Sequence, residues 1–377
     1  MVLTAVLLAV VVGSMVYCVL TVLAARSYVR AGRANRLPRP QSISILKPLS
    51  GAEHNLESNL RTFFEQDYPA FEILFAVRSP ADPAVAIVER LRAEFPSVPS
   101  QLIVTGEPPY PNAKVYSLDH MKSAARYELL VMSDSDIRVT PGLLARIAAE
   151  FSDPKLGVAT CPYRAVPGPG FWSKLEAIGM NTQFLGGVLT ARMLEGMKFA
   201  LGPTIAARKS VLDEMGGFDR LKDYLAEDFV MGNFADALGH GVILSSYIIE
   251  HHIGGHGFLD NMRHRLRWAR STRRSRPKGY AGELFTMPLP PAILLAAWQP
   301  ALWPVAAMAA ALRAVSAWAC ARYVLRDPLT LRYWWLIPLQ DMAAFLVWIA
   351  GFFGNTIVWR GRKYYLYPDG RFATIAK

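Results

Sequence analysis

Two aspartates at a spacing of two carry the strongest chemical signal in the sequence. Residues 129–132 are apolar, and Asp134 and Asp136 follow that run after one serine. Carboxylates spaced this way in a tight turn after a strand can surround a hard cation, which can bridge the two phosphates of a nucleotide. The same Asp-Ser-Asp sequence also suits an ordinary turn, in which both side chains bond backbone amides. We predict that Asp134 and Asp136 bind Mg²⁺ or Mn²⁺, with the ordinary turn as the alternative.

Two further residues lie where a nucleotide could bind. Asp82 follows the apolar run 71–77 and precedes Pro83, which suits a helix N-cap as well as a carboxylate that contacts a nucleoside. Lys114 lies in a loop before a predicted helix at 115–125, where its ammonium can meet a diphosphate. Because most lysines are simply solvated, Lys114 needs support from the rest of the site.

Glu227 and Asp228 open a predicted helix that runs to about residue 238. Acidic residues in a first turn are commonly explained by the helix dipole. A carboxylate flanked by apolar residues also suits a partly buried general base. Transfer of a group to an alcohol needs such a base, because a hydroxyl becomes a competent nucleophile only as its proton is removed.

A basic segment from 263 to 278 contains Arg267 and Trp268. Most of its arginines fit an amphipathic helix on an anionic membrane surface. Arg267 can instead bind a departing diphosphate in bidentate fashion, and the indole of Trp268 can stack on a sugar or pack at the membrane interface. The nearby histidines match no zinc spacing and are predicted to be structural or to support a ligand; they are His251, His252 and His256.

The chain around these residues alternates predicted strands and helices, as in an α/β domain. Short apolar runs predict strands, and amphipathic segments between them predict helices, two of which begin with proline after Asp82 and Thr140 as N-caps. The predicted strands are 42–46, 71–77, 102–105, 129–132 and 242–247, and the predicted helices include 56–66, 83–95 and 141–151. This order favours a mostly parallel sheet, whose ligands gather at the carboxyl ends of its strands.

Apolar stretches flank this α/β region. Residues 2–25 carry no charge and are long enough to span a bilayer, and arginines follow them. The positive-inside rule then predicts that the N-terminus is outside and that the α/β region starts in the cytoplasm. Later apolar runs at 287–312, 314–325 and 334–359 are consistent with two, three or four crossings. We predict an anchor at 1–25, a catalytic domain at 40–257, a basic membrane-proximal segment at 258–286, a transmembrane region at 287–359 and a cytoplasmic tail at 360–377.

The composition agrees with a membrane protein that meets anions. Hydrophobic residues make up 52% of the chain, and 41 lysines and arginines exceed 30 aspartates and glutamates. This balance fits anionic lipids, phosphorylated substrates or nucleic acid, and the sign alone does not choose among them. The three cysteines are far apart and predict neither a disulfide framework nor a zinc site.

Several motifs in order resemble the ceramide glucosyltransferase family of GT-A glycosyltransferases, which has a relative in bacterial hopanoid biosynthesis. The resemblance runs from about residue 42 to 270. The motifs are Ile45-Leu46-Lys47-Pro48-Leu49, Phe63-Phe64-Glu65-Gln66-Asp67-Tyr68-Pro69, Asp82-Pro83-Ala84, Asp134-Ser135-Asp136-Ile137-Arg138-Val139, Ala226-Glu227-Asp228 and Arg267-Trp268.

The resemblance implies an α/β GT-A (nucleotide-diphospho-sugar transferase) domain with an N-terminal transmembrane helix and a hydrophobic C-terminal membrane region. It implies an inverting hexosyltransferase that moves glucose or N-acetylglucosamine from a UDP-sugar to ceramide or a hopanoid polyol. The expected partners are UDP-sugar, a lipid acceptor and membrane lipids, with no nucleic acid, at a bacterial cytoplasmic membrane.

The resemblance also implies residue roles. Asp82 would be the first aspartate of the site, Asp134 would bind the metal and Asp228 would be the base. Asp136 stands where some ceramide-specific members carry glycine, so the sequence is closer to the general Asp-x-Asp form. The metal role of Asp136 and the donor contacts of Asp82, Lys114, Asp134 and Asp136 are predicted from the residues themselves. Arg267 and Trp268 end a diphosphate-binding (Q/R)xxRW motif, from which this chain departs because His264 stands at its first position.

Two other classes remain open at this point. A processive polysaccharide synthase shares the GT-A carboxylates, but typically has several well-formed spans and a glutamine at the motif's first position. A non-catalytic lipid-binding scaffold or transporter would use the basic segment and has no need of the ordered carboxylates.

Overall fold

The computed structural model describes residues 1–32, 41–53, 55–255, 257–359 and 361–375. The strands are β1 (Ile43–Pro48), β2 (Phe71–Val77), β3 (Ser100–Val104), β4 (Leu129–Ser133), β5 (Ile137–Arg138), β6 (Leu156–Thr160), β7 (Tyr163–Pro167), β8 (Thr204–Arg208), β9 (Gly241–Leu244), β10 (Ile249–Ile253), β11 (Thr356–Trp359), β12 (Arg362–Leu366) and β13 (Phe372–Thr374). The helices are α1 (Val2–Ala31), α2 (Leu56–Phe64), α3 (Ala84–Glu94), α4 (Ala113–Ala124), α5 (Leu143–Glu150), α6 (Phe171–Gly179), α7 (Leu185–Glu195), α8 (Lys209–Glu214), α9 (Glu227–Ala237), α10 (Phe258–Ser275), α11 (Pro277–Gly282), α12 (Leu289–Trp298), α13 (Trp303–Trp318), α14 (Pro328–Arg332) and α15 (Ile337–Gly351).

The chain divides into two compact units. One, the apolar-helix unit, comprises Met1–Arg33, Arg164–Gly196 and Ile253–Asp369. The other, the sheet unit, comprises Ala34–Tyr163, Met197–His252 and Gly370–Lys377.

A mixed sheet in the order β3-β2-β1-β4-β8-β6-β9 forms the core of the sheet unit. The pairs β3–β2, β2–β1, β1–β4 and β6–β9 are parallel, while β8 runs antiparallel to both β4 and β6. Every residue of β2 and β4 is buried, which explains their nearly continuous apolar sequences. The carboxyl ends of β1, β2 and β4 therefore share one edge, and β8 begins at that edge because Ser133 pairs with Thr204.

The predicted strands all appear with small shifts at their ends, and the sequence also contains strands that we did not predict. These are β5, β6, β7, β8, β10, β11, β12 and β13. They are two to five residues long. Such short segments contain too few residues to show the alternation of apolar and polar residues that indicates a strand.

Of the two predicted helix caps, only Asp82 meets its helix. Its Oδ1 accepts a hydrogen bond of 2.9 Å from the backbone N–H of Ala84, the first residue of α3. The prediction for Thr140 was wrong: α5 begins at Leu143, and the Thr140 hydroxyl lies 2.8 Å from the hydroxyl of Tyr247. The longer turn after Pro141 explains the shift, since the Leu143 N–H bonds the Thr140 carbonyl instead of its side chain.

The apolar-helix unit contains three helical segments long and apolar enough to cross a membrane, counted over the described ranges. They are Val2–Ala31, Pro300–Val324 and Trp334–Gly351. The predicted apolar run 334–359 is therefore not a single helix, because α15 ends at Gly351 and β11 follows. Gly354 adopts a left-handed φ of 75° between the two elements, a conformation that favours glycine.

A buried ion pair links two of these apolar segments. The Arg313 guanidinium of α13 donates hydrogen bonds of 2.9 and 2.8 Å to the two carboxylate oxygens of Asp341 in α15. It also donates to the Thr182 hydroxyl at 3.3 Å. Since both charged side chains are nearly inaccessible to solvent, each depends on the other for compensation.

Candidate functional site

The carboxyl edge of the sheet unit gathers several of the predicted site residues. Asp134 and Asp136 follow β4, Lys114 lies in the first turn of α4 after β3, and Asp228 lies in the first turn of α9. Gly202 lies just before β8, which starts at the same edge. Parallel strands thus deliver residues that are distant in sequence to one place.

Lys114 is the ionic centre of this edge. Its ammonium lies 2.7 Å from Asp134 Oδ1 and 3.4 Å from Glu227 Oε1, and it donates to the Gly202 carbonyl at 3.3 Å. Burial by itself lowers the pKa of Lys114, but the carboxylates of Asp134 and Glu227 outweigh burial and raise it above the ordinary lysine value. Lys114 is therefore charged and held between two carboxylates, and its contact with a diphosphate stays a prediction.

Asn112 fixes the helix that carries Lys114. Its Oδ1 accepts a hydrogen bond of 3.2 Å from the Val115 N–H and so caps α4. Its Nδ2 donates to the Tyr224 carbonyl at 2.9 Å and to Glu227 Oε2 at 3.3 Å. One buried amide thus ties the first turn of α4 to the first turn of α9.

Asp228 lies in a weakly solvated position beside Gly202. Burial, followed by the nearby charge of Glu227, raises the pKa of Asp228 to about 6. Backbone hydrogen bonds from Phe229 and Gly202 act in the opposite direction. A Cβ at Gly202 would lie only 2.9 Å from Asp228 Oδ2, so the glycine leaves room for the carboxylate. A carboxyl with this pKa is well placed to exchange a proton near neutral pH.

His251 positions the second aspartate of the turn. Its Nε2 lies 3.0 Å from Asp136 Oδ2, and β10 carries it there by pairing antiparallel with β5. Burial opposes ionisation of Asp136, but the contact with His251 outweighs it and holds the pKa of Asp136 below its usual range. The neighbouring His252 bonds Glu250 at 3.0 Å, and His256 lies outside the described residues.

Lys47 also bonds the turn that contains Asp134, a role that we did not predict from the sequence. Its ammonium donates to the Asp134 carbonyl and, at 3.4 Å, to Ser133 Oγ, and it lies 3.9 Å from the centre of the Phe63 ring. Burial lowers the pKa of Lys47 to about 7. A lysine near the end of the mostly apolar strand β1 was the available signal, because a fully buried lysine requires specific partners.

Asp82 lies between β2 and α3, and its hydrogen-bond partners are not the residues that surround Lys114. Its two carboxylate oxygens accept the Gly51 N–H at 3.0 and 3.1 Å. Together with the bond from Ala84, these contacts account for a structural role. No hydrogen bond or ion pair joins Asp82 to Asp134 or Lys114 within the described residues, and its contact with the donor stays a prediction.

Arg267 and Trp268 belong to the apolar-helix unit, where both lie on α10. The Trp268 ring packs on His264, with ring centres 4.6 Å apart, and His264 Nδ1 lies 2.9 Å from Glu176 Oε1. Their predicted role at a diphosphate stays a prediction. Other arginines of α10 do not face only lipid or water: Arg270 and Arg273 donate to backbone carbonyls of residues 352–356 just beyond α15.

The residues of the turn fit a divalent cation that arrives with phosphates. Asp136 Oδ1 is buried and has no hydrogen-bond partner in the described part of the chain. Burial raises the pKa of Asp134, whose Oδ1 contacts Lys114, and the charge of Asp136 is near enough to contribute to this rise. The described residues contain no cluster of three or more histidine, cysteine, aspartate or glutamate side chains that could hold a metal by themselves. Mg²⁺ characteristically uses one or two carboxylates and completes its shell with substrate phosphates and water, which agrees with this donor set.

Comparison with known families identifies the chain. The model of glycosyl transferase family 21 matches residues 5–372. The chain belongs to glycosyl transferase family 21. The family predicted from the ordered motifs is thereby confirmed.

Curated relatives of this family 21 member include ceramide glucosyltransferases. Ceramide glucosyltransferase 1 of Caenorhabditis elegans is 32% identical over 212 residues, which cover 56% of this chain and 45% of the relative. The ceramide glucosyltransferase of Komagataella phaffii is 34% identical over 113 residues, covering 29% of this chain and 22% of the relative. The matched region spans less than half the length of either relative.

A solved structure supports the fold of this family 21 member. The mannosyltransferase PcManGT from Pyrobaculum calidifontis, in complex with GDP-Man and Mn²⁺, superposes with a TM-score of 0.54 and 19% identity. The match covers 92% of this chain and 99% of that chain. The predicted GT-A fold, with an N-terminal apolar helix and further apolar helices near the C-terminus, is confirmed.

Proposed function

We propose that this chain is an inverting glycosyltransferase that moves glucose or N-acetylglucosamine from a UDP-sugar to a hydroxyl of a membrane lipid, either ceramide or a hopanoid polyol. The observation that carries the proposal is the contact of Lys114 with Asp134 and Glu227 beside Asp228, since it unites a cation for a diphosphate with a carboxyl of raised pKa. The ceramide acceptor is suggested by the names of the curated relatives.

Donor binding in this proposal uses Asp134, Asp136 and Lys114. Asp134 and Asp136 would hold Mg²⁺ or Mn²⁺, which when bound supplies positive charge to the diphosphate. Lys114 would contact the same diphosphate and neutralise charge as UDP departs, while Asp82 would accept hydrogen bonds from the nucleoside. His251 and Lys47 keep the turn in place through Asp136 Oδ2 and the Asp134 carbonyl.

Asp228 would act as the general base. Its carboxylate removes the proton of the lipid hydroxyl as the hydroxyl oxygen attacks the anomeric carbon from the face opposite the diphosphate. The new bond joins the lipid oxygen to that carbon, the bond to the diphosphate oxygen breaks, and UDP leaves with the electron pair. A pKa of about 6 keeps Asp228 ionised at neutral pH and still basic enough to take a proton.

Two residues of the basic segment would also take part in the reaction. Arg267 would bind the departing diphosphate and Trp268 would stack on the sugar or acceptor. We propose a bacterial cytoplasmic membrane with the sheet unit on the cytoplasmic face, because Arg26 and Arg30 follow the uncharged part of α1. This placement would present the site to a lipid acceptor from the cytoplasmic leaflet.

Replacing Asp228 with asparagine tests the assignment of the base. We expect sugar transfer to fall by about 10²–10⁴-fold while UDP-sugar binding is retained, because the amide cannot accept the proton. Asp236→Asn is the matched control, since Asp236 lies on the same helix but is exposed. Loss of donor binding with unchanged turnover of the bound donor would reject Asp228 as the base.

A further inference from the structure

The C-terminal segment 370–372 lies along the loop that precedes α9. The Phe372 N–H donates to the Asp223 carbonyl at 2.8 Å, and the Leu225 N–H donates to the Gly370 carbonyl at 3.5 Å. These bonds form an antiparallel bridge between Tyr224 and Arg371. All of these residues belong to the sheet unit, although the segment follows the whole apolar-helix region in sequence.

Side chains reinforce this backbone pairing. The Phe372 side chain is buried, with an exposed fraction of 2%. The Arg371 guanidinium lies 5.7 Å from the centre of the Tyr224 ring, within the range of a cation–π contact. The pairing is thus anchored by a buried aromatic side chain and by a stacked cation.

The supported loop leads directly to the proposed catalytic groups. The Tyr224 carbonyl accepts the Asn112 amide that also bonds Glu227 and caps the helix of Lys114. Asp228 follows Glu227 in the first turn of α9. Movement of Tyr224 would therefore reach both the base and the cation that faces the diphosphate.

Loss of the segment would leave this loop under-bonded. The Leu225 N–H and the Asp223 carbonyl would each lose a partner, and Leu225 is buried. A buried peptide group without a partner is unfavourable, so the loop would rearrange to reach water. Such a rearrangement would loosen the position of Asp228, whose proton transfer depends on geometry.

We propose that residues 370–372 are a positioning element for sugar transfer, which fixes the loop 223–225 and through it the base helix α9. The inference rests on the proposed function in that Asp228 is taken as the base. It assigns no direct contact with substrate to the segment. Arg371 and Phe372 are its positioning residues.

The test compares a full-length protein with a variant that ends at Asp369 and a control that ends at Thr374. Arg371→Ala and Phe372→Ala repeat the test without truncation, and Arg371→Lys keeps the cation. Hydrogen–deuterium exchange of residues 223–238 reports the loop, while kcat, the donor KM and the pH profile report the base.

We expect the Asp369 variant to raise amide exchange at Leu225 and along α9 by about tenfold or more. We expect kcat to fall by about tenfold with little change in the donor KM. The acid limb of the pH profile of kcat should move to lower pH, because hydration of Asp228 lowers its pKa. In the full-length protein, Arg371→Lys should keep a higher kcat than Arg371→Ala, because lysine retains the cation next to Tyr224.

Unchanged exchange at Leu225 would overturn the inference, and so would raised exchange with an unchanged kcat and pH profile. Absence of sugar transfer by the wild-type protein would instead count against the proposed function. The exchange measurement would then still decide whether the segment fixes the loop.

Discussion

Ionised Asp228 should destabilise the folded protein, and Asp228→Asn should relieve that cost. Folding raises the pKa of Asp228 from its ordinary 3.8 to about 6. Between these two values the folded state binds more protons than the unfolded state, so this carboxyl makes stability fall as the pH rises. Each tenfold change in acidity is worth about 1.4 kcal/mol, which gives a cost of about 3 kcal/mol above the folded-state pKa. Asparagine keeps an oxygen for the Phe229 and Gly202 amides and carries no charge.

The assay is thermal unfolding of purified wild-type and variant protein at several pH values. We expect Asp228→Asn to raise the unfolding midpoint above about pH 6, and the two proteins to converge as the pH approaches 4. The wild-type kcat should rise through about pH 6 and level off above it, because only the ionised carboxyl acts as a base. Stability and activity should therefore change in opposite directions over one pH range.

Asp236→Asn is the control for this comparison, because that carboxyl is exposed and lies on the same helix. Its effect on the unfolding midpoint should be small. The reasoning about burial of Asp228 would be refuted if Asp228→Asn lowered the midpoint at pH 8, or if its effect were the same at pH 5 and pH 8.

Three further substitutions test other parts of the account. Lys114→Met should lower kcat/KM for the donor by about 10–100-fold, because it removes a cation from the diphosphate. The measurement is the initial rate against UDP-sugar concentration, and an unchanged donor KM and kcat would contradict that role. Gly202→Ala should lower kcat by about tenfold with the donor KM nearly unchanged, since its Cβ would displace the Asp228 carboxylate; wild-type turnover would show that the close contact is immaterial. Asp341→Asn should destabilise the protein by about 3–5 kcal/mol in thermal unfolding, because Arg313 loses its buried counter-ion. The double variant with Arg313→Met should be more stable than Asp341→Asn alone. If it were not, the result would argue against the ion pair.

Much of the sheet unit follows from local sequence. The strands β2 and β4 are nearly continuous apolar runs that are buried at every position, so their type and place were evident. Parallel pairing then sends Asp134 and Asp136 to the carboxyl edge of the sheet. The helices α3 and α4 were predicted within two residues of their observed starts, because a proline and a polar loop mark where they begin.

The contacts that complete the site depend on long-range pairing that one sequence does not display. His251 reaches Asp136 only because β10 pairs with β5, and neither strand was predicted. Gly202 contacts Lys114, and Lys47 contacts Asp134, because the order of the strands in the sheet brings them together. No local motif predicts either contact. The partners of Arg270 and Arg273 were likewise hidden, because the backbone carbonyls that they bond lie about 80 residues further along the chain, just beyond α15.

The most direct test of the central claim is transfer of a labelled sugar by the purified protein. The donors are UDP-glucose and UDP-N-acetylglucosamine, and the acceptors are ceramide, diacylglycerol and bacteriohopanetetrol, each with Mg²⁺ or Mn²⁺ and with EDTA. We expect a labelled glycolipid that requires the metal and disappears in Asp134→Asn. No labelled lipid from any pair, or transfer that is equal in EDTA, would contradict it.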